Sequence, residues 1–261
     1  MSHGLNLNDL KARLVPVAYA AGAKIMEVYK KPAEADTKSD GSPVTEADAA
    51  AEAVILPALA HVAPGVTVIS EENAASHALA APEAFFLVDP LDGTKEFLKR
   101  DGKGSFTVNI ALVDKGEPIF GIVFAPALDR LFVGVKGAGA EETNSVKSRH
   151  ILVQTPPASG KVAVASASHR DEATNNWLRE NGITKTISTG SSLKFCLVAT
   201  GEADVYPRFG PTMEWDTAAG QAVLTAAGGR VTHPDLTDFR FGKPDYRNGP
   251  FIAWGGSLAD P

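Results

Sequence analysis

Apolar residues recur at helical spacing through Leu10, Leu14, Val17, Ala18, Ala21, Ile25 and Val28. This predicts an amphipathic first helix, capped by Asn8 or Asp9 and ending near Lys31-Pro32. Pro16 lies inside it, and a proline ring clashes with the carbonyl four residues back, so the helix is expected to kink there or to become regular only later. A polar loop over 36–43 follows. A second helix is expected from Thr45, its cap, through Ala53, Val54 and Leu56, with Pro57 near its end. The period then changes to that of strands. The runs 66–70 and 84–88 each end in acids, Glu71-Glu72 and Asp89, while 106–113, 118–124 and 131–135 read as an antiparallel meander. Gly134, Gly137 and Gly139 read as a hairpin turn, since no βαβ unit surrounds them to make a dinucleotide loop.

The stretch Gln154-Thr155-Pro156-Pro157-Ala158-Ser159-Gly160 reads as a linker, and beyond it strands alternate with helices. Strands are expected over 161–165, 186–188, 203–206 and 251–254, and helices over 172–181, 191–200 and 216–227, several closed by glycine. The pattern therefore divides the chain into an α+β unit, 1–154, and an α/β unit, 155–261. The 261 residues, 44% of them apolar, can bury a sizeable core. A net charge of −6 argues against a nucleic-acid polymer as partner and leaves room for a local basic pocket. The single cysteine, Cys196, sits in a helix-like apolar run and reads as a packed core thiol. With no signal-like start and no apolar run long enough to span a bilayer, a cytoplasmic protein is expected.

Chemistry concentrates in Asp89-Pro90-Leu91-Asp92-Gly93-Thr94, which follows an apolar strand and precedes the helix-compatible Lys95-Glu96-Phe97-Leu98-Lys99. Read as strand, acidic turn and helix, it sets a cation site beside the unpaired N–H groups of a helix start. Asp89, Asp92 and the Leu91 carbonyl can share one hard metal ion, with Glu71 and Asp216 as further candidates from other segments. Each acid alone also has a plain reading as a solvated strand end or a helix cap. Hydrolysis of a phosphate needs an oriented water, for which Thr94 and Asp48 are candidates. Thr45 and Asp48 also have the spacing of a capping pair, and both roles can hold together. Ser191, Ser192 and Lys194 follow Gly190 at an expected helix start suited to a second phosphate, and Arg208 can add a bidentate contact. An N-cap pair, a solvated lysine and a surface arginine are the plain alternatives, and His169 reads as an ordinary solvent-facing histidine.

Taken together, Glu71-Glu72, the Asp89 to Thr94 motif and Trp215-Asp216-Thr217-Ala218-Ala219-Gly220 resemble the magnesium-dependent, lithium-sensitive phosphatase superfamily that includes the inositol monophosphatases. Within it, the runs 88–97, 107–111, 190–198 and 206–211 resemble the bacterial 3'(2'),5'-bisphosphate nucleotidases of the CysQ type. The resemblance implies a layered α/β/α/β/α sandwich of mixed α+β and α/β character. It implies two or three Mg2+ ions: one on Glu71, Asp89 and the Leu91 carbonyl, one on Asp89, Asp92 and Asp216, and a weaker third on Glu71 and water. It further implies that the Gly93 and Thr94 N–H groups hold the scissile phosphate and that Thr94 with Asp48 orients the attacking water. Substrate contacts would come from Glu71, Leu91, Asp92, Gly93, Thr94, Ser191, Ser192, Lys194, Arg208 and Asp216. The implied reaction converts adenosine 3',5'-bisphosphate to AMP and phosphate, with the 3'-phosphosulfate donor as a related substrate in sulfur assimilation. The implied protein is a monomer or homodimer, cytoplasmic and also compatible with the inner membrane's cytoplasmic face. The inositol branch carries an acid before Trp215 where this chain has Arg208 and Phe209, so the direction of Glu214 bears on the substrate. An inositol or sugar monophosphatase, or a nucleotide-binding sensor without turnover, are the other readings.

Overall fold

Alternation along one strand sets up the whole architecture. In Ala84–Asp92, Phe85 and Leu87 belong to one buried cluster and Phe86 and Val88 to another, so the strand is covered on both faces. The structure is a computed structural model that describes residues 5–31, 36–37, 43–100, 102, 104–166 and 170–256. Its larger sheet has seven strands in chain order: Thr67–Ser70, Ala84–Asp92, Thr107–Asp114, Glu117–Ala125, Arg130–Val135, Gly139–Thr143 and Ser148–Ile151. The first pair is parallel and the others antiparallel. On one face lie the helices Leu7–Tyr29 and Glu46–Val62, which bury Leu10, Leu14, Ile25, Ile55 and Leu59 against Phe86, Ile110 and Ile122. Burying each such Leu or Ile contributes about 1.5–3 kcal/mol relative to exposure.

The other face meets the helix Leu193–Ala199, buried throughout, and the helix Ala218–Ala226, buried from Ala218 to Leu224 with Thr225 exposed. Behind them stands a second sheet, ordered Lys185–Thr189, Val162–Ser166, Val205–Arg208, Phe251–Trp254, Arg230–Thr232. Its first three strands run parallel and the remaining pairs are antiparallel. Its far side packs Ala163, Val205 and Ile252 against Leu178 of the helix Glu172–Glu180. The layers are therefore α/β/α/β/α. Cys196 is a buried thiol in the central layer, and among the described residues no helix is long and apolar enough to cross a membrane.

Several local expectations change. Asn6, rather than Asn8 or Asp9, caps the first helix, accepting from both of their N–H groups. That helix runs through Pro16, and the second continues five residues past Pro57. Both prolines face solvent, where the freed carbonyl turns to water while the opposite face stays packed. The expected loop over 36–43 instead contains a short antiparallel ribbon, Asp36–Thr37 with Pro43–Val44. Gly134 is not in a turn: it sits inside a strand opposite Gly121. A Cβ on Gly121 would lie 2.5 Å from the Ala219 carbonyl oxygen, and one on Gly134 2.5 Å from that of Ala222. The two glycines form the groove in which the helix Ala218–Ala226 lies. His169 falls outside the described residues.

Candidate active site

Side chains alternate along a strand, so Asp89 and Asp92, three residues apart, would ordinarily face opposite sides of the sheet. The pairing with Thr107–Asp114 shifts between them, however. Asp89 lies opposite Asn109 and Asp92 opposite Thr107, which leaves one extra residue in the acidic strand. Such a bulge re-aims the second side chain, bringing both acids to the central-layer side. The acidic motif is thus the bulged end of a strand rather than a turn after it. Gly93 follows at φ 92°, a conformation glycine adopts without a steric penalty, and starts the short helix Thr94–Lys99.

Two other segments bring acids to this point. Glu71 lies one residue beyond the strand Thr67–Ser70, and its N–H donates to the Val88 carbonyl (3.1 Å). Asp216 comes from the loop ahead of the helix Ala218–Ala226 rather than from the helix itself, and accepts from the Met213 N–H (2.8 Å). Carboxylate oxygens of Glu71, Asp89 and Asp216 all lie within 4.8 Å of one another. Burial, followed by the neighbouring Glu71, Asp92 and Asp216, holds the Asp89 carboxyl well above the usual range, and burial with Asp92 and Glu71 does the same to Asp216. Burial raises Asp92 to about 6, against the opposing effects of Lys194, the Ser192 N–H and the Asn109 amide. Crowded, desolvated carboxylates of this kind are relieved by a cation, and all-oxygen donors suit a hard divalent one.

A cleft of 290 Å3 opens over this cluster, lined among others by Glu71, Asp92, Gly93, Thr94, Ser191, Lys194, Arg208 and Asp216. Lys194 donates to the Ser191 carbonyl (2.6 Å) and lies 5.3 Å from the Tyr206 ring centroid. Burial lowers its ammonium to about 8, with Asp92 opposing and Arg208 adding to the shift. The Arg208 guanidinium donates to the Gly210 and Pro211 carbonyls, each at 3.1 Å. Other expected residues stand behind the cleft wall. Asp89 and Leu91 are buried, with the Leu91 N–H donating to Asp89 (3.1 Å) and the Thr94 hydroxyl to the Leu91 carbonyl (3.4 Å). Ser192 is fully buried; its N–H donates to Asp92 (2.6 Å) and its hydroxyl to the Asp216 carbonyl, so its polar groups serve the scaffold. Asp48 is buried and completes a capping box, accepting from the Thr45 N–H and hydroxyl, each at 2.8 Å. Glu214 turns away from the cleft altogether. Fully buried, it accepts from the Gly242 and Lys243 N–H groups (2.8 and 3.0 Å) and pairs with the Lys243 ammonium (2.7 Å).

Residues 6–258 match the inositol monophosphatase family. The chain belongs to that family. Among curated relatives, the 3'(2'),5'-bisphosphate nucleotidase CysQ of Escherichia coli K12 is 47% identical over 82% of this chain and 87% of its own length. The same-named protein of Buchnera aphidicola is 41% identical over 84% and 82%. Among solved structures, CysQ from Bacteroides thetaiotaomicron superposes with a TM-score of 0.82 at 36% identity, covering 97% of this chain and 99% of that one. An inositol monophosphatase from Anabaena superposes at 0.76 with 30% identity, covering 98% and 93%. The layered sandwich described above is the fold of these neighbours. Inositol monophosphatase family members are generally metal-dependent, and the acidic cluster of this member is placed to bind metal.

Sequence reasoning assigned no part to three side chains around this family's acidic site. Asn109 reaches both Asp92 and Ser192. His77 donates from Nε2 to the Ser70 carbonyl (2.8 Å) while stacking on Trp215 at 4.6 Å, so one ring touches the segments carrying Glu71 and Asp216. Asn248 donates to Thr212, Met213 and Thr217, fixing the loop that presents Asp216. A polar residue inside an apolar strand run was the available signal for Asn109; the other two depend on contacts between distant segments.

Proposed function

We propose that this protein is a magnesium-dependent 3'(2'),5'-bisphosphate nucleotidase that hydrolyses adenosine 3',5'-bisphosphate to AMP and phosphate, and the 3'-phosphosulfate donor similarly, in sulfur assimilation. The observation that carries the reading is the cleft's lining, which combines carboxylates with the cations Lys194 and Arg208 while Glu214 is turned away. That lining suits a substrate with a second phosphate better than one presenting only hydroxyls. The extensive similarity to CysQ nucleotidases supports the same choice.

Two or three Mg2+ ions would be held by Glu71, Asp89, the Leu91 carbonyl, Asp92 and Asp216. When bound, they supply Lewis acidity at the phosphate and lower the pKa of water. In this reading the N–H groups of Gly93 and Thr94, at a helix start, bind the scissile phosphate. Thr94 lines the cleft, and in this reading its hydroxyl orients the attacking water, with Asp48 as its partner in addition to its capping role. Ser191, Lys194 and Arg208 bind the second phosphate, and Ser192 acts from behind by holding Asp92 and Asp216. The proposal extends to two units meeting near residue 154, a monomeric or homodimeric state, and action in the cytoplasm or at the cytoplasmic face of the inner membrane.

The test is phosphate release with magnesium from adenosine 3',5'-bisphosphate and from inositol 1-phosphate, repeated with lithium. Preference for the bisphosphate and inhibition by lithium are expected. Preference for the inositol ester would replace this reading with a monophosphatase, and binding without turnover would replace it with a sensor.

A further inference from the structure

We infer that Asn109 is a positioning residue for the metal centre: its buried amide holds the Asp92 carboxylate and, through Ser192, the backbone of Asp216. The inference rests on the reading of these acids as metal ligands. Asp92 belongs to the larger sheet and Asp216 to the loop entering the central helical layer. One side chain would thus set the spacing between acids from two layers.

The geometry leaves the network a single arrangement. Asn109 is fully buried, and its Nδ2 donates to Asp92 Oδ2 (3.2 Å) and to Ser192 Oγ (3.0 Å). Ser192 Oγ gives its only proton to the Asp216 carbonyl and its backbone N–H to Asp92 Oδ2 (2.6 Å). Thr107 Oγ1 donates to Asn109 Oδ1 (3.0 Å). An ionised carboxylate and a carbonyl only accept, and the Ser192 proton is already committed, so both Ser192 and Asp92 require donors from Asn109. Flipping the amide would point Oδ1 at a carboxylate, and an unsatisfied buried group costs about 1–3 kcal/mol. In the unflipped orientation the Thr107 hydroxyl satisfies Oδ1 and so supports the amide from the other side. The strand bulge places these same two residues opposite the acids, Asn109 facing Asp89 and Thr107 facing Asp92. Partners of this kind orient ligands, and their loss weakens metal binding.

The test uses the full chain stripped of metal, with magnesium binding measured by calorimetry and by the rise in Tm. Asn109→Leu, close in size but without donors, should raise the magnesium Kd roughly 10–100-fold. Its metal-free Tm should fall, because Thr107, Ser192 and Asp92 each lose a buried partner. The magnesium Kd and the Tm gain on adding magnesium are therefore read against that variant's own metal-free baseline, and excess magnesium should recover most of the kcat. Thr107→Val should weaken binding less, and the double variant should match Asn109→Leu alone, because Thr107 acts only through Asn109. Unchanged magnesium binding in Asn109→Leu, or full additivity in the double variant, overturns the inference. If Asn109→Leu fails to fold, Thr107→Val decides, and wild-type magnesium affinity in that variant overturns it. A wild-type chain that binds no magnesium would remove the metal reading itself and this inference with it.

Discussion

Lys194 is a cation held almost out of water, 5% exposed, between the Asp92 carboxylate and the Tyr206 ring. Its burial disfavours the charged form, so the free protein loses this positive charge as pH rises through about 8. If Lys194 binds the second phosphate, kcat/KM for the bisphosphate should fall on the alkaline side with a midpoint near that value. In Lys194→Met the limb should disappear, with KM raised throughout; a pH series of initial rates checks both. At this scale the acids were legible in the sequence, because carboxylates just past apolar runs mark strand ends. Their holders were not. Asn109 is one polar letter in a buried strand, and Ser192 looked like a phosphate contact because its place before a helix says nothing about where its hydroxyl points. Asp48 was legible for its cap, through the spacing from Thr45.

Among the elements, the helix Ala218–Ala226 matters most for the site, since Asp216 lies two residues ahead of it. It reaches the sheet only because Gly121 and Gly134 leave it room. Gly121→Ala would put a methyl 2.5 Å from the Ala219 carbonyl oxygen and 2.7 Å from the Ala222 Cβ. Overpacking of this kind costs about 1–3 kcal/mol. The expected result is a lower Tm together with a raised magnesium requirement, read by thermal melts and metal titration of activity. A change in Tm alone would show that the displaced helix does not carry Asp216 with it. Hydrophobic period revealed the helices and central strands well. It missed Gly139–Thr143 and Ser148–Ile151, which bury only Ala140, Glu142 and Ile151 and otherwise carry half-buried or exposed, often polar or charged residues, so they show no apolar run. It also misplaced Gly134, because a glycine needed for close packing and one needed for a turn look alike in sequence.

For the molecule as a whole, acids from three separate segments converge without an equal number of cations. Folding raises the Asp89 and Asp216 pKa values and takes Asp92 to about 6, so the metal-free native state binds more protons than the unfolded chain, whose aspartates titrate near 4. The contribution of this cluster to stability is therefore fullest in acid and is lost as pH rises through the raised folded values. Bound magnesium should reverse that loss. The Tm gain on adding magnesium should be larger at about pH 8 than at about pH 5.5, since binding must displace protons at the lower pH. At a hundredfold excess over Kd, binding adds about 2.7 kcal/mol. Comparing melts with and without metal at each pH cancels the opposite effect of carboxylates held low, such as Glu142 and Asp171. A Tm gain independent of pH would show that the cluster is not where the metal binds.

The stack of His77 on Trp215 has an optical consequence. Of the three tryptophans, Trp177 and Trp254 pack against each other on the far side of the second sheet, whereas Trp215 adjoins Asp216 and faces an imidazole 4.6 Å away. Indole emission responds to a stacked imidazole and its protonation. The chain thus carries a built-in fluorophore one residue from its acidic centre, and a Trp177→Phe, Trp254→Phe background would let light report what happens there without any added label.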